Sequence, residues 1–448
     1  MSDFPLYDIA KRSIEIGWSL GADQVESYVI YGSLKSVQLE KGSIHHFTDT
    51  SSSGIGIRVI KNKSIGMAST TVFSSDSIEE TVKNAYSLAK ASPPDPNFSS
   101  LPIDKRESPQ IKDQYDQEIV DLSVEDFSEM VQETIQEAKI RDDAVIGGRF
   151  TAGYGKRLIL NSLGVDRESS QTSVGGYVQV KVKDGDDIGN SYYGDTATQI
   201  KKLDHLEIGR LAGERSLKML GSKNMKTTNL PALLDPESTY GTISPIIGMG
   251  IDAFNVFNKT AFFVDKVGDR IAYDKLTIVD DPFYEGGTDS SSFDDEGVVP
   301  TKLTIVENGI LQTYITDSYT APLVGMENTG HASRASFASR PTPSLYALQI
   351  KKGETSKNEM LDDLKEGILL IDSAIVGMGD NPQVSAQINQ GFYVKNGEIQ
   401  YPVKNTVIGT TVFEILEKLE MLSKEFENRN GHIAPWMKLA PMRISGGK

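Results

Sequence analysis

Twice before residue 225 the chain runs helix, strands, helix, and this doubled pattern limits the folds open to it. Leu6 to Leu20 has the apolar spacing of an amphipathic helix, with Ile9, Ile14, Ile16 and Leu20 among its apolar positions. VESYVIYG, SVQLEKGSIHHF and GIGIRVIKNKSIGMASTTV then alternate as antiparallel strands do, with EKGS and KNKS as turns. Ser77 to Ala91 reads as a helix that opens on the capping-type stretch SIEE. After a Pro- and Ser-rich connection the plan repeats. Val124 to Arg141 is helical, the run from Ala144 to Gly185 is strand-rich, and Leu206 to Leu220 is helical again. The repeat is one of pattern and not of residue identity.

From Leu230 the texture changes. LLDPESTYGTISPIIGMG opens like a helix, because Asp235 can accept from the free N–H groups of the first turn and Pro236 suits the first helical position. Many short strands follow, among them RIAYDKLTIVDD, TKLTIVENGILQTYITD, PSLYALQIKKGE and GILLIDSAIVG. A late helix is expected at Thr411 to Leu422 and a last strand at Met442 to Ser445. The expected class is α+β: two N-terminal α+β regions, then a β-rich C-terminal domain with one helix at its opening. The expected boundaries are 1–95, a linker at 96–112, 113–225 and 226–448.

Composition narrows the chemistry. The 448 residues contain no Cys, which excludes disulfides, Cys-ligated zinc, iron–sulfur clusters and a thiol nucleophile. The net charge of −16 repels a phosphate backbone, so nucleic acid is not an expected partner. No run reaches the ~18 apolar residues of a membrane span, and MSDFPLYDIAKRS lacks a basic start followed by an apolar stretch. A cytoplasmic protein is expected.

The motif search yields little. His45 and His46 are adjacent on a strand and point to opposite faces. His205 precedes a helix, and His432 lies in a stretch flanked by Gly and Pro. No pair has the spacing of a zinc-protease helix. GIGIRV, GMGIDA and GMGDNP lack a full dinucleotide fingerprint, and neither a phosphate-binding loop nor a serine elbow is present. Two stretches remain as candidates for a peptide groove. One is the acidic run Asp280 to Gly297, containing Asp289, Asp294 and Glu296, read as a solvated loop or flexible flap. The other is NTGHASR, with Thr329, Gly330, His331 and Arg334 among small residues.

Three blocks carry a resemblance: SSSFDDEGVVPTKLTIVENGILQTYITDSYTAPLVGMENTGHASR, QGFYVKNGEIQYPVKNTVIG and the ending APWMKLAPMRISGG. With GIGIRVIKNKSIGMASTT they occur in the order found in the TldD/PmbA family, and the chain resembles that family over nearly its whole length. The resemblance implies two N-terminal α+β regions and a C-terminal domain built around a proteolytic site. TldD-type members carry H-E-x-x-x-H on the helix that opens this domain, and a late Cys completes the zinc site. Such a zinc lowers the pKa of bound water toward ~7. This chain departs from the pattern at each metal position. The window near Ile243 to Gly250 has no His and no Glu, Pro245 interrupts it, and no Cys exists.

The resemblance is therefore to the PmbA (TldE) type. It implies a subunit without catalytic residues or metal of its own, paired with a TldD-type zinc subunit in a complex that degrades or trims unfolded peptides. The chain's share would be cavity wall, partner interface and peptide docking. Alternative expectations are a standalone peptide-binding homodimer without chemistry, and an autonomous metal-dependent hydrolase using His331 with Asp294 or Glu296.

Overall fold

The computed structural model describes residues 6–377 and 381–447. The first residues of the N-terminal stretch read for a leader, and Met378–Asp380 of the GMGDNP run, lie outside the described residues. Helix α1 (Leu6–Ser19) precedes the long strands β1 (Gln24–Glu40) and β2 (Ser43–Lys61), then β3 (Ser64–Thr70) and α2 (Ser75–Ala91). The second unit holds α3 (Gln117–Asp121), α4 (Val124–Ala138), β4 (Val145–Asn161), β5 (Asp166–Asp184), β6 (Asp187–Ala197) and α5 (His205–Lys218).

The two units share one antiparallel sheet, ordered β3-β2-β1-β4-β5-β6, and β1 pairs with β4 from Glu26↔Asn161 to Leu39↔Gly148. Alternation explains how one sheet serves two sets of helices. Val25 and Val29 of β1 pack with Ile78, Val82 and Ala85 of α2, while Val37 joins Phe127, Val131 and Ile135 of α4. The intervening residues Glu26 and Tyr28 face the other way, and they too are buried. What covers them is the C-terminal domain: Tyr28 and Ile159 pack against Phe293.

The C-terminal domain begins with β7 (Lys223–Asn224), β8 (Thr228–Leu234) and α6 (Pro236–Ile251). Its sheet is centred on a fifteen-residue strand, His432–Gly446, which pairs with β8, with Thr406–Thr411 and with Leu419–Arg429. The expected last strand at Met442 to Ser445 is thus only the end of a longer one. The expected helix at Thr411 to Leu422 is real only over Val412–Glu417; from Leu419 the chain is a strand. Pairing such as Leu422↔Met437 overrides the local helical pattern there. RIAYDKLTIVDD yields a strand only at Ile278–Asp280.

Helix α6 starts as its sequence implies: the Asp235 carboxylate accepts from Ser238 N at 2.8 Å and Pro236 takes the first turn. The helix then divides its surface three ways. Ile243, Ile246, Ile247 and Ile251 enter the core. Ser238 and Thr242 accept from the backbone N–H groups of Ser373 and Ile375, both at 2.8 Å. Tyr240, Ser244 and Gly248, at i, i+4 and i+8, face a cavity. Among the described residues no helix is long and apolar enough to cross a membrane.

Candidate functional site

Between the N-terminal sheet and the C-terminal domain lies a groove of about 1590 Å³. One wall comes from the middle of β1, β4, β5 and β6, with Tyr31, Tyr154 and Tyr177; the other comes from residues 288–295, 331–333 and 344–346 with Arg429, Asn430 and His432. A side cavity of about 420 Å³ reaches α6. It shares Asp289, Ser344, Leu345, Tyr346 and His432 with the groove.

The acidic run is not the solvated loop or flap expected from its composition. Asp280, Asp281, Asp294, Asp295 and Glu296 are all buried. Three arginines from distant parts of the chain offset the charges of Asp295, Glu296 and the nearby Glu26, while Lys302 pairs with Asp281 and His331 with Asp280. Arg58 bridges Glu26 and Glu296, at 2.9 Å to the latter. Arg334 pairs with the other oxygen of Glu26 and lies over the Tyr28 ring. Arg157 pairs with Asp295 and stacks on Phe293 at 4.7 Å. Asp295 also accepts from Tyr28 Oη at 3.1 Å and Arg334 N at 2.7 Å. Burial opposes the Glu26 charge, but the two guanidinium groups prevail and hold its pKa below the ordinary carboxylate range.

Excess carboxylates in this network are shifted the other way. Burial, then the neighbouring Glu296 charge, raises Asp294 well above the usual range, against backbone N–H bonds from Glu296, Val298 and Ala332. Burial and Glu296 likewise push Asp317 up to about 6.

Of the seven candidate residues, Asp289, Asp294 and His331 line the groove. Glu296, Thr329, Gly330 and Arg334 lie in the wall behind it. Thr329 locks the backbone through Thr316, accepting from its N–H at 2.8 Å. Gly330, at φ +70°, presses on Pro300, where a Cβ would meet backbone at 2.6 Å. His331 is fully buried, with Nδ1 at 3.0 Å from Thr329 O and Nε2 at 3.0 Å from Asp280. Its partner is therefore Asp280, and the metal pairing of His331 with Asp294 or Glu296 does not assemble.

Residues that sequence reasoning passed over form the rest of the site. His432 Nε2 lies 2.7 Å from Asp289 Oδ2, and its ring lies 4.7 Å from Tyr240. These partners are 143 residues apart in sequence, so no local motif joins them. Arg429 contacts Glu237 at 2.9 Å and stacks on Tyr193, whose ring Arg215 also approaches, at 4.8 and 4.6 Å respectively. Arg215 pairs with Asp372, which accepts from Tyr192 Oη at 3.1 Å. Burial above all pushes Glu237 up to about 8, with Asp372 nearby adding to the rise. The i, i+4, i+8 face Tyr240–Ser244–Gly248 was readable as a helical stripe, though not as a cavity wall.

A zinc site does not fit here. The face α6 turns to the cavity offers a phenol, a hydroxyl and a bare Cα, with His432 and Asp289 the nearest donors. Among the described residues no group of three or more His, Cys, Asp or Glu side chains is arranged to hold a metal.

A three-part chain with a strand-rich final domain, a groove along its seam and a helix at the groove's side defines a class. The chain matches the profiles of PmbA/TldA metallopeptidase domain 1 over residues 25–89, the central domain over 117–220 and the C-terminal domain over 227–446. It belongs to the TldD/PmbA metallopeptidase family. A metalloprotease of Methanocaldococcus jannaschii is 27% identical, the alignment covering 98% of this chain and 96% of that one. The metalloprotease PmbA of Escherichia coli O157:H7 is 25% identical, over 92% and 90%. TldE from Thermococcus kodakarensis has the same fold, with a TM-score of 0.86 at 24% identity, over 98% of this chain and all of that one.

Proposed function

We propose that this chain is a peptide-holding subunit of a TldD/PmbA-type metallopeptidase, without hydrolytic activity of its own. It receives an extended, unfolded segment in the groove along its domain seam and presents it to a zinc-bearing TldD-type partner. The observation that carries the reading is the face of α6. The helix on which the resemblance places H-E-x-x-x-H in TldD-type members here turns Tyr240, Ser244 and Gly248 to the cavity. Neither the helix nor the residues opposite supply a metal-ligand set, yet the groove itself is large and open to a chain of several residues. Its walls are rich in Ser, Gly, Gln and Tyr, which suits backbone hydrogen bonding to peptides of varied sequence.

Reconstitution tests this. The purified chain alone, the zinc-bearing relative alone and the two mixed are assayed on a fluorogenic unfolded peptide, with gel filtration and zinc analysis of each sample. The expected result is no turnover and no stoichiometric zinc for this chain alone, and turnover in the mixture that coelutes with a complex. Chelator-sensitive turnover by this chain alone overturns the proposal. A chain that binds peptide and self-associates, with no response to the relative, favours a homodimeric peptide-binding protein.

A further inference from the structure

Two extended segments run beside each other along the groove, and neither has all its backbone groups paired. β5 pairs with β4 on one edge from Asp166 to Lys181, while β6 covers its other edge only from Val174 onward. Thr172 shows which groups face the uncovered stretch: its N–H donates away from β4, to Gln114 O at 3.0 Å. In an antiparallel ladder the bonding direction alternates from residue to residue. Ser170 and Glu168 share the parity of Thr172 and therefore aim their N–H and C=O groups the same way. Among the described residues no other segment bonds to them there.

The linker passes this edge as a strap tied at both ends. Arg106 Nη2 donates to Val299 O at 2.6 Å, and Arg106 O accepts from Arg167 Nη2 at 2.5 Å. Gln114 Nε2 donates to Gly287 O at 3.0 Å, and its own carbonyl holds Thr172. Between these ties, residues 107–111 make no hydrogen bond among the described residues, and Ser108 Oγ is buried without a partner. The stretch 106–114 is longer than 167–172, the part of β5 that it accompanies, so the strap has slack to stand clear of the strand. Residues 108–111 of the strap and 168–172 of β5 both border the groove.

A strand edge with a row of free N–H and C=O groups is a template for one more strand. We propose that the docked peptide adds to β5 along residues 168–172 as an extra strand, lying between β5 and the strap. This rests on the reading of the groove as a peptide-docking site. The bonds run from the peptide backbone to the backbone of Glu168 and Ser170. The side chains of this stretch, Glu168, Ser169, Ser170 and Gln171, form no apolar socket, so recognition is by main chain and tolerant of sequence.

Two measurements on the full chain test it, both with a labelled, unstructured decapeptide of Ala, Ser and Val. The first is fluorescence anisotropy on two variants. Ser170→Pro deletes the outward N–H at a position where no ladder bond to β4 is lost, and should weaken binding about fivefold. Ser170→Ala keeps the N–H and should bind as the wild type does. Circular dichroism confirms that each variant is folded. The second is hydrogen exchange by mass spectrometry on the wild type, which needs no variant to fold. Saturating peptide should slow exchange in the fragment spanning 166–172. Wild-type affinity in folded Ser170→Pro overturns the docking edge and leaves peptide docking standing. So does binding that leaves exchange over 166–172 unchanged. Failure of the peptide to bind at micromolar concentrations overturns the docking reading and the edge with it.

Discussion

Two charged regions border the same groove, and they are built on opposite principles. Under the sheet, Glu26, Arg58, Glu296, Arg334 and Asp295 are buried, Arg157 is partly buried, and each charge meets a counter-charge. Beside α6, Asp289 is more than half exposed and His432 has a ring nitrogen without a partner. The first region is denser in charge and is structural. It rivets the C-terminal domain to the underside of the β1–β2–β4 surface. The second is sparse and lies at the edge of the groove, with Asp289 open to solvent. Burial, and not pairing, separates the two, since Arg58 Nε and Arg157 Nε of the first region lack partners as well.

The largest effect should come from breaking the dense network. Arg58→Met leaves buried Glu296 without a cation and Glu26 with Arg334 alone, and should cost about 3–5 kcal/mol. Chemical denaturation measures it, and a loss under about 1 kcal/mol would erase the contrast between the regions.

Next comes the pH response of the same network. Asp317 is raised from 3.8 to about 6, so the native state holds a proton there that the unfolded chain has released. Its contribution to stability therefore falls as pH rises from about 4 to 6, and the penalty is complete above that. Asp317→Asn should remove a difference worth about 2 kcal/mol between unfolding free energies compared at pH 4.5 and 7. An unchanged slope would show that Asp317 titrates normally. The Glu237 shift acts in the same direction over a window reaching about pH 8, whereas lowered Glu26 stabilises at neutral pH and loses that contribution only on strong acidification.

The two histidines give the sharpest internal comparison. His331→Ala removes the side-chain partner of buried Asp280, which keeps the backbone N–H of Tyr346, and should cost about 1–3 kcal/mol of stability. His432→Ala should change stability by less than about 1 kcal/mol, because Asp289 can turn to water. Its effect should fall on peptide affinity, read by anisotropy. Equal destabilisation by both would place His432 in the structural class.

Much of the fold was legible. The α1, α2, α4 and α5 helices carry regular apolar spacing, and the Asp235–Pro236 start of α6 is a local signal read from local residues. Harder was the final domain, where the helical pattern read over Thr411 to Leu422 gives way at Leu419 to a strand in a hairpin with His432–Gly446. The site was legible only in part. NTGHASR and the acidic run do meet at the groove, but most of their side chains face inward, since no sequence spacing reveals that Arg58, Arg157 and Arg334 converge on them.

What the sequence by itself determined is what chemistry the chain lacks: no thiol, no paired histidines on the helix that opens the last domain, and no excess of positive charge. Residue type is local, so such exclusions need no coordinates. What only the tertiary structure decided is which charges are spent and which are free. Asp294 and Asp289 sit five positions apart in one loop. One is buried in the wall beneath the groove, and the other meets a histidine 143 residues later at the edge of an open cavity. Solvation and pairing set the role of an ionisable side chain, and both depend on what long-range folding brings beside it.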